Sequence, residues 1–164
     1  MMILAFFEYI NFVLDPLILD LSNGVPVFSI FSKVLLGLIL LPLERLINSK
    51  YQTALAVDIK SCGREEVKVI DGGSNRIVAI GKELIESQCL GEFIGVAKLS
   101  KSFCQLFSNS LNDLIESGGL NDYFEAAIHP LLETTEIHYV DVSEFPCMEI
   151  DFIEDLEKAR NLFR

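Results

Sequence analysis

The segment CMEIDFIEDLEKAR, Cys147 to Arg160, sets the carboxylate of Asp151 between a short apolar run and a helix-like tail. Two roles suit it. With Glu154 three residues on, Asp151 has capping-box spacing, Asp standing in the usual Ser/Thr place. A carboxylate at the C-terminal end of a strand, at the mouth of an open α/β sheet, also sits where such sheets bind ligands. Mg2+ takes one or two such carboxylates together with substrate phosphates; by spacing alone the cap is the plainer reading of Asp151 and a metal ligand the alternative. Lys82, in IVAIGKEL, follows a strand and a glycine and could reach a phosphate as a point charge. A solvated surface lysine is the plainer reading. Glu92 and Lys98, in GEFIGVAKLS, are charged strand residues expected to face water. Glu125, in DYFEAAI, is expected on the exposed face of a helix. His129 and His138 have no evident Ser or Cys partner, so no nucleophilic triad is read. Neither G-x-x-x-x-G-K-S/T nor G-x-G-x-x-G occurs, and DGGSN lies between two strands, where a hairpin turn accounts for it.

The elements that would position these groups come next. The chain of 164 residues suits one domain with a real core. A net charge of -11 disfavours nucleic acid and anionic membrane surfaces as partners. The four cysteines, Cys62, Cys89, Cys104 and Cys147, form no C-x-x-C pair and lie away from both histidines. Zinc is therefore not expected, and the thiols read as reduced, in a cytoplasmic protein.

Composition changes near residue 44. Residues 1–43 carry only Glu8, Asp15, Asp20 and Lys33 as charges, and Val25 to Leu43 is 19 residues with Lys33 alone among them. That length approaches a membrane span, but a charge near its middle is costly there. A membrane anchor, buried core elements, and a segment foreign to the domain all remain open, and hydropathy does not separate them.

Beyond residue 44 the pattern is α/β. YQTALAVDI reads as a central strand, and EEVKVI and RIVAIG as a hairpin around DGGSN. GEFIGVAKLS reads as a further strand, Gly91 and Gly95 marking close approach or special backbone angles. Phe103, Leu106, Phe107, Leu111, Leu114 and Ile115 form a helical stripe that Gly118 and Gly119 stop. NDYFEAAIHPLLET reads as a second helix, capped by Asn121 or Asp122 and kinked or shortened by Pro130. EIHYVDVS and CMEID read as strands, and Phe152 to Phe163 as a closing helix.

In this order, TALAVDI, VKVIDGGSNRIVAIGKEL, GEFIGVAKLSK, GLNDYFEAAIHPLL and YVDVSEFPCMEIDFIEDLEKAR resemble the C-terminal part of a nucleotidyltransferase. The likeness is to the sugar-phosphate and phosphocholine cytidylyltransferase type, with its MobA-like NTP-transferase fold, over residues 44–164. It implies a partial Rossmann-like α/β sheet flanked by helices, preceded here by an atypical apolar N-terminal segment. It also implies transfer of a nucleotidyl group from a nucleoside triphosphate, CTP if the cytidylyltransferase likeness extends that far, to a phosphorylated small molecule, with Mg2+. By the same resemblance Asp151 matches the second metal aspartate, and Lys82 a lysine on substrate phosphate. Glu92 and Gly95 match the strand lining the acceptor pocket, and Tyr123 and Glu125 the helix beside it. Nothing in residues 1–43 matches the family's triphosphate loop or its first metal aspartate. The expectation is a truncated enzyme, weak or inactive alone. The alternative is a non-catalytic module held at a membrane by residues 25–43.

Overall fold

The computed structural model describes residues 2–4, 41–145 and 157. Five strands follow the order β4-β3-β5-β2-β6. They are β2 (Ala54–Asp58), β3 (Lys68–Asp71), β4 (Ile77–Gly81), β5 (Gly91–Leu99) and β6 (His138–Asp141). β1 (Met2–Leu4) pairs antiparallel with the far end of β5, through Leu99, Lys98 and Ala97. Among the described residues, two helices pack on the sheet, α1 over residues 41–48 and α2 (Lys101–Glu116). The result is a mixed α/β sheet flanked by helices, as the sequence pattern requires. β2 and β6 run parallel, while β2–β5, β3–β5 and β3–β4 are antiparallel.

The hairpin β3–β4 forms where its turn chemistry places it. Gly73, Ser74 and Asn75 all take positive φ, and the Gly72 amide donates to the Arg76 carbonyl at 2.8 Å. The hairpin then folds back onto β6. Arg76 bridges His138, the Ile77 amide donates to the Ile137 carbonyl at 2.8 Å, and the Tyr139 amide donates to the Asn75 carbonyl at 2.8 Å. The two terminal strands of the path thus meet at one end, and the sheet curls around its core.

Alternation in the strands divides apolar residues between two faces. Leu55, Val57, Val69, Ile80, Phe93 and Ala97 join Phe103 and Phe107 of α2 in the larger core. Ala54, Ala56, Val140 and Val142 pack against Leu46 of α1. Ser100 caps α2, its hydroxyl accepting from the Phe103 amide at 3.1 Å. The buried stripe of α2 is Phe103 and Phe107, flanked by Cys104, Leu111 and Leu114, whereas the expected members Leu106 and Ile115 face solvent.

The expected helix over NDYFEAAIHPLLET is instead two 3-10 turns, Phe124–Ala127 and His129–Glu133. Pro130 has no N–H to continue an α-helical ladder. The Ala127 carbonyl accepts the Ser110 hydroxyl of α2 at 2.7 Å, which ties these turns to the helix. Neither Asn121 nor Asp122 caps them; Tyr123 holds the cap position without a side-chain bond. The strand expected at CMEID and Asp151 lie outside the described residues, as does the closing helix except residue 157, which is helical, and the apolar run over 25–43 except its last three residues, which belong to α1. Among the described residues, no helix is long and apolar enough to cross a membrane.

Candidate functional site

β4 ends at Gly81, and Lys82 follows it out of the sheet. Its ammonium lies 4.0 Å from the centre of the Tyr123 ring, within cation–π range. Burial alone would pull the Lys82 ammonium down. The hydrogen bond and charge interaction with Tyr123, helped by Glu65 and Glu125, outweigh it and hold the group above the usual lysine range. Two residues past Tyr123, Glu125 is 4% exposed, and its Oε1 is buried with no hydrogen-bond partner. Burial raises the Glu125 carboxyl above the usual carboxylate range, against the opposing pull of its own backbone amide and of Lys82. The exposed helix face expected for Glu125 is therefore wrong. The 3-10 turn sets Phe124, Ala127 and Ile128 into the core, and Glu125 goes in with them.

Three residues picked from the sequence, Lys82, Tyr123 and Glu125, thus come together: a long-stemmed cation, an aromatic face and a buried carboxyl. Glu92 is placed differently. One row across the sheet runs Gly81, Lys68, Glu92, Asp58, by the register of β4, β3, β5 and β2. Glu92 does not face open water. Its side chain is 12% exposed and holds Lys60 at 2.5 Å, while Asp58 lies 3.6 Å from the same ammonium. Lys98 does not face open water either: it donates to the Ile47 and Ser49 carbonyls, each at 2.9 Å, at the C-terminal end of α1. A cation there also suits the helix dipole.

Gly95 answers to backbone geometry. Its φ is +75°, nothing lies within 4 Å of where a Cβ would point, and the β2–β5 register shifts opposite it, between Leu55 and Val57. At Gly91 the reason is close approach, a Cβ meeting the Asp58 carbonyl oxygen at 2.1 Å.

Sequence reasoning missed Lys68. It is 1% exposed, and its ammonium donates to the carbonyls of Arg64, Glu66 and Lys82 at 3.1, 3.2 and 2.6 Å. A lysine inside the apolar run VKVI was the available signal. His129, unassigned from sequence, clamps the edge of β4 by donating from Nδ1 to the Ile80 carbonyl at 2.8 Å. A separate groove of about 490 Å³ lies between α1 and β6 and shares no lining residue with the Lys82 group. Among the described residues, no three His, Cys, Asp or Glu side chains gather as a metal cage.

No family model matches the chain, and no curated protein does. Among solved structures it is similar to a CTP:phosphocholine cytidylyltransferase from Streptococcus pneumoniae, with a TM-score of 0.59 at 12% identity. The fold is nucleotidyltransferase-like. The match covers 70% of this chain and 49% of the other, so this chain spans about half the length of that structure.

Proposed function

We propose that the chain carries the acceptor side of a nucleotidyl transfer, in which a phosphorylated small molecule receives a nucleotidyl group from a nucleoside triphosphate such as CTP. The observation that carries this is the convergence of Lys82, Tyr123 and Glu125. Lys82 rests on an aromatic face that is itself 59% exposed. A phosphate arriving from solvent offers the ammonium a stronger, charge-assisted partner. Moving to it would free the Tyr123 face and leave Glu125 nearby, a setting suited to a cationic amine on the same ligand. A zwitterionic phosphate such as phosphocholine, the acceptor named for the similar enzyme, fits both halves of that exchange. Glu92 and Gly95 belong to the strand that would line the acceptor in the same reading.

Mg2+ would neutralise charge on the triphosphate and align it. No cage forms for it among the described residues, so its proposed ligand is Asp151 together with substrate phosphates. Because only Asp151 is assigned to the metal and no triphosphate loop is read in the sequence, turnover by this chain alone should be weak.

Isothermal titration with phosphocholine, choline and inorganic phosphate tests the acceptor assignment. Phosphocholine should bind tightest, and Lys82→Ala should weaken it about tenfold, the equivalent of one charge-assisted hydrogen bond of about 1.4 kcal/mol. Equal affinity for all three ligands, or no loss in Lys82→Ala, would overturn the assignment.

A further inference from the structure

We propose that Lys68 is the positioning residue of this site, a buried ammonium that fixes the backbone from which Lys82 reaches. The inference rests on the reading of Lys82 as the group that meets phosphate.

An ammonium has three N–H donors. Lys68 directs all three at main-chain carbonyls, those of Arg64, Glu66 and Lys82. The shortest, 2.6 Å, is to Lys82 itself. Those acceptors belong to two different segments: the connection before β3, and the residue that leaves β4. β3 begins at Lys68 and β4 ends at Gly81; the Phe93 amide ties the Val67 carbonyl to β5 at 2.8 Å, but that bond does not join the connection to Lys82. Lys68 therefore supplies the link that the sheet does not. It also holds Glu65, flanked by its two acceptors, where that carboxylate helps keep Lys82 charged.

Only a compact tetrahedral cation serves. A methionine fills similar space but leaves three carbonyls without a donor. A planar guanidinium presents its N–H groups as a fork rather than a tripod. Burying a charge at 1% exposure is costly unless every donor is met. Simple packing would be served better by an apolar residue at this position.

Lys98 is the built-in control. It too is a strand lysine donating to main-chain carbonyls, but at α1, away from Lys82. The test uses the full chain with its accessible lysines reductively 13C-methylated. The Tyr123 ring should shift the Lys82 methyl resonance, a shift that Tyr123→Leu identifies by abolishing it. In Lys68→Met that shift should collapse, and phosphocholine should bind about tenfold more weakly. In Lys98→Met both should persist. A retained Lys82 shift in a folded Lys68→Met protein would overturn the proposal, as would equal loss in Lys98→Met. If Lys68→Met does not fold, the wild-type protein decides. The ammonium protons of Lys68 should exchange with water far more slowly than those of exposed Lys101; exchange at the same rate overturns the proposal. If the Lys82 shift behaves as expected while wild-type protein ignores phosphocholine, the acceptor reading fails and the positioning link stands.

Discussion

Replacing Glu125 by glutamine tests the electrostatics of the site in a single titration. The change keeps the side chain's shape and removes its charge. In the native protein burial holds the Glu125 carboxyl above its ordinary value, so the folded chain keeps this proton after the unfolded chain has released it. Unfolding then releases a proton, and stability falls as pH rises. The fall begins near the ordinary glutamate value of about 4.3 and ends once pH passes the raised native value. Its slope is at most about 1.4 kcal/mol per pH unit, one proton's worth. A glutamine side chain cannot titrate, so this component vanishes in the variant. Relative to wild type, Glu125→Gln should show a fixed offset at pH 4 and gain stability steadily above it, reaching a plateau. Lys82 opposes the rise at Glu125, so in a Lys82→Ala background the plateau should come at higher pH and stand higher. Urea unfolding at half-unit pH steps, with a shared m-value, measures it. Parallel wild-type and Glu125→Gln profiles between pH 4 and 8 would refute the claim that burial outweighs the backbone amide and Lys82 at this carboxyl.

The two glycines of β5 separate steric from torsional cost. Gly91→Ala drives a Cβ to 2.1 Å from a backbone oxygen and 2.8 Å from the Ile59 Cα, atoms that cannot step aside, so about 3 kcal/mol should be lost. Gly95→Ala meets open space at φ +75° and should cost about 1 kcal/mol, with Gly95→Asn milder because Asn tolerates the left-handed region; equal losses at 91 and 95 by urea unfolding would contradict this. Burial, with the hydrogen bond to Cys89 and its charge, pushes the Cys62 thiol up to about 12. At pH 8 iodoacetamide should therefore label Cys89 and Cys104 well ahead of Cys62 by peptide mass spectrometry, and matched labelling rates would refute it. Lys82, held above the usual lysine range, contributes stability that is complete below that range and is lost as pH rises through its native value. The alkaline unfolding limb should therefore move to lower pH in Tyr123→Leu, and an unmoved limb would count against the contact.

What sequence reveals here follows the range of the interaction concerned. The central strand, the hairpin and α2 rest on local signals: β-rich runs, a Gly-Asn turn, a 3.6-residue stripe and a Gly-Gly stop. Each appears where those signals put it. Apart from the helix expected over NDYFEAAIHPLLET and the exposed Leu106 and Ile115, the errors cluster at charged residues. Alternation alone turns Glu92 and Lys98 toward water, because it places charges outward. The outward position expected for Glu125 belongs to a helix that does not form. Lys68 draws no notice at all. In each case the residue type sets the cost of burial, but the partner that offsets it lies elsewhere in the chain: Lys82 for Lys68, 14 residues away, and Ile47 for Lys98, 51 away. No window of local pattern contains those carbonyls. Glu125 differs in an instructive way, for its buried Oε1 has no partner. A charge buried with its partners explains its own placement by stability. A carboxyl buried with one oxygen unmet, beside a lysine resting on an aromatic ring, is not accounted for by stability in that way, which is why the functional proposal centres on Lys82, Tyr123 and Glu125 rather than on the buried Lys68.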